Sequence, residues 1–392
     1  MAGPAPHIFE ARREALLATA QREGVSNVVI FGFGSALGAG TLSHGHLRFF
    51  SGWDGHESLS LLVLGAGVSQ LIVGSPFMLA LAQATRPDLN ARYVHPTGWP
   101  QALRDGLGGA AFAALGFGEM PAQIEKSLSA LGVIPALSLD EAAARQRLVK
   151  DAASLALMRE AAGLCDELFA RLGAELAARR PAWEAQLNLE THARRQGADY
   201  CRTWLTTAPA ADYPRYWPQE AQRTPERGDQ VLFGIALTVE GHWGHGIRMG
   251  SIGPQRSTHA ALARQVEAML KAGVSALRPG LPLAGVEAAM EDVFASRLAR
   301  ENAGRFRRFR NGHGLGASYE EPLATNPFRQ HFDPAAQAAP GDITLAPGMV
   351  FELHPNIFVS DLGGAALGEM MLVTDEEPEF LLRFPSTCQV WE

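Results

Sequence analysis

Two short stretches near the end of the chain carry residues that could do chemistry. In NGHGLG, His313 stands between Gly312 and Gly314, where small neighbours let the backbone turn tightly and leave an imidazole open. In PGMVFELHPNIF, Glu352 and His354 are two apart in an apolar run, so a strand over VFELH points both to one face. An imidazole and a carboxylate on one face can hold a cation or pass a proton. Single histidines in glycine-rich loops are also common structural features, so the weight falls on the elements that position them.

Leu and Ala at helical spacing predict a surface helix over Phe9 to Glu23. VSNVVIFGF, SLSLLVLGAG and SQLIVGS have the pattern of buried strands. GFGSALG after the first strand is a loose echo of a dinucleotide loop. It lacks an acidic residue at the right distance after a second strand, which argues against nucleotide binding. Strand and helix alternate to about Ala136, which predicts an α/β domain. Leu139 to Arg179 is almost continuously helical in pattern, interrupted by Gly163 and Gly173, and the domain boundary is expected between Arg145 and Ser154. The expected domains are therefore 1–150 and 151–392. From Trp204 to Pro225 the chain is rich in Pro, Tyr and Trp and predicts an irregular aromatic loop. Val231 to Thr238 and His242 to Met249 predict a hairpin turning at Glu240-Gly241. Helices are expected from His259 to Leu277 and from Leu283 to Arg300.

The 392 residues are enough for two domains with proper cores, and 47% hydrophobic with 19% charged residues is the balance of a soluble globular protein. A net charge of −7 with no long Lys/Arg run excludes an extended nucleic-acid or anionic-membrane surface. RFRRFR at 305–310 is a local basic patch, suited to a substrate carboxylate or an interface. Cys165, Cys201 and Cys388 are far apart and in no metal or redox spacing, so no disulfide framework is expected and a reducing cytoplasm is the natural setting. The start lacks a secretion-signal pattern, and no apolar run approaches the ~20 residues of a membrane helix.

GHGLG, the PGMVF run and the closing LVTDEEPE resemble the catalytic half of the creatinase, prolidase and aminopeptidase P family. FFSGW at 49–53, the RLVKDAASLALMREAAGLCDE segment and the RGDQVLFGIALTVEGHWGHGIR hairpin resemble further parts of that family, in the same order. The resemblance implies an α/β amino-terminal domain followed by an α+β pita-bread catalytic domain, creatinase-like, and a homodimer.

In metal-using members of the family, two hairpin aspartates, the GHG histidine and two later glutamates hold two ions that share a hydroxide. The resemblance puts these five positions on Gly234, His245, His313, His354 and Gly368, the last beside Glu369. Two have no side chain, so ordinary Xaa-Pro peptidase activity is not expected. What it implies instead is one divalent ion (zinc, iron or copper) held by His245, His313 and His354. Glu320, Glu352 and Glu369 are then the candidate fourth ligand or general base. His242 takes the place of His245 if the hairpin register shifts. Glu320 falls where the family has a second histidine, and Glu321 comes directly after it. Where the family has a histidine before a tyrosine, Arg215 precedes Tyr216 and Trp217; creatinase's catalytic base falls on Arg215 or Trp217, depending on register, and its first hairpin carboxylate on Ile247, near Arg248. Arg215, Tyr216, Trp217, Arg248 and Glu321 are thus the expected substrate contacts. The expected reaction is hydrolysis of a C–N bond in a small polar molecule. The alternatives are a three-histidine iron or copper oxygenase, a metal-free histidine hydrolase, and a catalytically silent homologue.

Overall fold

The computed structural model describes residues 4–65, 67–210, 222–295, 305–331, 343–359 and 362–392. The chain divides into two compact units, residues 1–147 with 317–320, and residues 148–316 with 321–392.

The first unit is built on a six-stranded mixed sheet, in the order Asn90–Tyr93, Val68–Val73, Leu59–Gly65, Asn27–Phe33, Phe112–Leu115, Leu137–Ser138. Asn27–Phe33 runs antiparallel to Leu59–Gly65 and parallel to Phe112–Leu115. Its VVIF run is apolar without interruption because both faces are covered. Val28 and Ile30 pack with Leu16, Leu47 and Phe50, while Val29 and Phe31 pack with Trp99, Leu103 and Leu128 on the other side. The FFSGW segment ends the helix Leu42–Ser51: Gly52 caps it at a φ of 66°, and the Trp53 indole donates to Ser60 Oγ at 3.0 Å. GFGSALG forms the short helix Ser35–Gly38, whose Ser35 amide donates to Asp54 Oδ1 at 2.9 Å.

In the second unit the predicted long helix is two, Asp140–Leu148 (which belongs mostly to the first unit) and Ala152–Ala177. The break comes at Asp151, whose carboxylate accepts from the Ser154 amide at 2.8 Å and so caps the second helix. Strands Gln230–Val239 and His242–Ile252 form the expected hairpin, turning at Glu240 and Gly241 with φ of 46° and 72°. Positive φ at both turn residues matches the right-handed twist of the flanking strands. The hairpin lies between Tyr200–Ala208 on one side and Gln389–Trp391 on the other. Tyr200–Ala208 corrects the expected loop: the chain remains a strand past Trp204 to Ala208. A second sheet holds Gly312–Gly314, Val350–Leu353, Glu369–Leu372 and Glu379–Phe380 in that order, and a third holds Phe306–Arg307, Asn356–Val359 and Gly363–Ala366. A bridge between Ile247 and Gly368 ties the hairpin to the second sheet. Helices Ser257–Ala276 and Ala284–Phe294 back this unit, packing Val266, Met269 and Met290 into its core.

Candidate metal centre

Strand registry decides which side chains can meet. Ala236 pairs with His245 and Gly234 with both Ile247 and Trp204, so Trp204, Gly234 and His245 lie on one face of the hairpin sheet. In the second sheet His313 pairs with Glu352, and Glu352 with Met370, so these lie on one face; His354, two on from Glu352, continues it. The Ile247–Gly368 bridge brings the two faces together.

There, three imidazoles surround one carboxylate. Glu352 is fully buried, and its Oε2 is hydrogen-bonded to His245 Nδ1, lies 3.0 Å from His313 Nε2, and lies 3.8 Å from His354 Nε2. The His245 and His313 rings are 5.6 Å apart between centroids, and those of His313 and His354 are 5.2 Å apart. Among the described residues, the Glu352 Oε1 atom and the His354 Nδ1 atom are buried without a hydrogen-bond partner. Burial would push the Glu352 carboxyl up, but the His245 ring and hydrogen bonds from His245 and His313 outweigh it and hold it well below the usual carboxylate range. His354 is pulled down to about 3, chiefly by burial and against the opposing pull of Glu352, so its imidazole is neutral.

Ligand atoms of His245, His313 and Glu352 all lie within 4.8 Å of one another. In place of the expected three histidines, the group of possible ligands is His245, His313 and Glu352, with His354 alongside. A second such group, Glu287, Glu291 and His331, is committed internally: Glu291 is paired with Arg308 at 2.5 Å, and Asn311 donates to both glutamates.

The two-ion arrangement implied by the resemblance does not fit these residues. A Cβ at position 368 would overlap Glu352 Oε1 and stand 2.7 Å from the Ile247 nitrogen. The carboxylate that a glutamate at 368 would offer is therefore offered from the neighbouring strand by Glu352. A Cβ at 234 would meet the Trp204 ring at 3.0 Å, so an indole covers the other missing position. One ion does fit: two imidazoles and an ionised carboxylate converge, and Glu352 still has an oxygen without a partner among the described residues.

Four expected site residues, Glu369, Arg248, Glu321 and Glu320, lie elsewhere. Glu369 pairs with Leu353, one residue out of phase with Glu352, and so projects to the opposite face. There it meets Arg248 at 2.7 Å, and burial raises its carboxyl to about 7 against the pull of that guanidinium. Arg248 is fully buried, donates at 2.7 Å to the carbonyls of Gly368 and Phe384, and stacks on Phe169 at 4.7 Å. This pair braces the strands that carry His245 and Gly368, which corrects the expectations of a catalytic Glu369 and a substrate-binding Arg248. Glu321 is buried with its carboxylate against Gly316, where the Lys150 head also packs. Glu320 is half-buried in the segment 317–320 that groups with the first unit. Arg215, Tyr216 and Trp217 lie outside the described residues. His242 hydrogen-bonds to Ser154 Oγ at 3.1 Å, which leaves His245 as the hairpin histidine of the site.

The glycines around His313 serve close packing. Neither has positive φ; a Cβ at 312 would stand 2.7 Å from the Glu352 carbonyl oxygen, and one at 314 would overlap Ala324. Two half-buried aromatic rings were not expected here. Trp204 stands edge-on to His245 with centroids 6.1 Å apart, and Phe309 lies 5.5 Å from His354. The alternation of Tyr200, Arg202 and Trp204 with Cys201, Thr203 and Leu205 was the signal for the first.

The profile of metallopeptidase family M24 matches residues 156–375. A probable dipeptidase PepE of Mycobacterium tuberculosis is 28% identical over 331 residues, 82% of each chain. The crystal structure of dipeptidase PepE from Mycobacterium ulcerans is similar at a TM-score of 0.75 and 25% identity, over 99% of both chains. The prolidase of Pyrococcus horikoshii OT3 has a TM-score of 0.77 at 14% identity, covering 96% of this chain and 99% of the other. The architecture is the pita-bread fold of these structures.

Proposed function

The chain belongs to metallopeptidase family M24, and we propose that within it the protein is a hydrolase rebuilt around one divalent cation, held by His245, His313 and Glu352, acting on a C–N bond of a small polar molecule. Divalent metals are the cofactors of this family. The observation that carries the reading is the convergence of two imidazoles on one buried, ionised carboxylate. Two histidines and a glutamate suit mononuclear zinc in hydrolases, and related sets hold iron. When bound, the ion supplies Lewis acidity and acidifies a water.

The chain's own residues do the rest. Glu352 balances part of the cation's charge and keeps both imidazoles aimed inward. His354, whose ring burial keeps uncharged, can offer a ring N–H to substrate or water as a hydrogen-bond donor. Trp204 and Phe309 wall the imidazoles with apolar surface, which restricts water and strengthens the local electrostatics. The relatives named as dipeptidases make dipeptides the first substrates to try. We further place the protein in the cytoplasm as a homodimer. The three unpaired cysteines agree with a reducing compartment, and no helix among the described residues is long and apolar enough to cross a membrane.

The test is hydrolysis of a panel of dipeptides and small amides before and after chelation, then after adding back zinc or iron. Activity should vanish on chelation, return with metal, and be absent in His313→Ala. One observation favours a second reading: Glu352 already engages His245 and His313, a complete carboxylate–imidazole array for metal-free acid–base hydrolysis. Activity that survives chelation but not His313→Ala would select it.

A further inference from the structure

Trp204 is the residue of this face that neither the sequence nor the family match assigns. It pairs directly with Gly234 across the sheet, and its ring lies over that glycine, with Cε3 at 3.0 Å and Cζ3 at 3.8 Å from where a Cβ would be. On the other side of Gly234, Ile247 Cγ1 stands at 3.8 Å from the same point. The indole is edge-on to His245, at 88° between ring planes. It therefore fills the space beside His245 from which a side chain at 234 would reach the site. The charge balance points the same way. Glu369 faces away and is paired with Arg248, so of the candidate ligands Glu352 supplies the carboxylate on this face. One carboxylate leaves a single divalent ion already undercompensated, and a second ion a few ångströms away would meet strong repulsion.

We propose that Trp204, seated on Gly234, is the residue that confines this centre to one divalent cation by filling the place where a second carboxylate would enter. The inference rests on the single-ion reading above and deepens it. Replacing the pair together should reopen the position. In Trp204→Ala/Gly234→Asp a carboxylate occupies the vacated volume next to His245, while Gly234→Asp alone drives the new side chain into the indole.

Cobalt(II) chloride is the probe. Wild type, each single variant and the double variant are loaded, dialysed and assayed for cobalt per chain and for visible absorption, with circular dichroism as the check on folding. The expected result is one cobalt per wild-type chain and two per double-variant chain. Gly234→Asp alone should melt well below wild type, a loss that Trp204→Ala should largely relieve. If the double variant fails to fold, Trp204→Leu/Gly234→Asp keeps an apolar side chain on the strand and serves in its place. Two tightly held ions in wild type, or one in both wild type and the folded double variant, overturn the role of Trp204 and leave a metal-dependent reading standing. No cobalt in wild type removes both.

Discussion

Gly368→Ala is the smallest change that acts on the heart of the site. The added methyl would overlap Glu352 Oε1, stand 2.7 Å from the Ile247 backbone nitrogen and 3.0 Å from Ile247 Cγ1. The Glu352 side chain can swing away, but then it leaves His245 and His313; the Ile247 backbone can move only by loosening its bridge to residue 368. Overpacking of this kind costs about 1–3 kcal/mol. In a unit of this size each kcal/mol is worth about 2–4 °C, so calorimetry should show melting lowered by roughly 2–12 °C. The informative comparison is a cycle with Glu352→Ala. Without the carboxylate one of the three contacts is gone, and the cost of Gly368→Ala should fall by about 1 kcal/mol while the Ile247 part remains. An equal cost in both backgrounds would refute the placement of Glu352 against residue 368.

Breaking the buried Arg248–Glu369 pair by Arg248→Met should cost about 3–5 kcal/mol, and Arg248→Met/Glu369→Leu clearly less, because the single change leaves a buried carboxyl without its partner; denaturant unfolding of the two variants checks this. His259, buried in the helix Ser257–Ala276, is lowered to about 4, mainly by burial. The unfolded chain therefore binds the extra proton between about pH 6.5 and 4, so stability falls as pH drops through that window, by about 3 kcal/mol from this residue, and His259→Phe should flatten the profile. Light scattering at micromolar concentration should give about twice the 42.0 kDa chain mass, and a monomer would count against the proposed dimer.

Much of this site was legible because strands have a period of two. Glu352 and His354 share a face as their spacing requires, and Glu240-Gly241 fixes the hairpin register that delivers His245. The same rule explains the misplacements. Glu369 is one residue from the position that faces inward, and Arg248 is three from His245, so both project to the far side, where they find each other. The role of Glu352 depended on a relation across strands: its carboxylate occupies space that is open only because residue 368 is glycine. Nothing within either segment states that relation. Trp204 was hidden by its downstream neighbours, since a Pro- and Tyr-rich run drew the expected loop back over residues that are still strand. In the first unit, apolar runs and the Gly52 turn were enough to specify a sheet covered on both faces.

His245, His313 and Glu352 are proposed to hold one divalent cation together. Isothermal titration of zinc into the chelator-treated protein, beside His245→Ala, His313→Ala and Glu352→Ala, tests it most directly. A stoichiometry of one per wild-type chain is expected, with affinity lowered by at least about 100-fold, or abolished, in each variant and circular dichroism unchanged. Absence of zinc, iron or copper binding to the folded wild-type chain, or binding that all three variants retain, would contradict it.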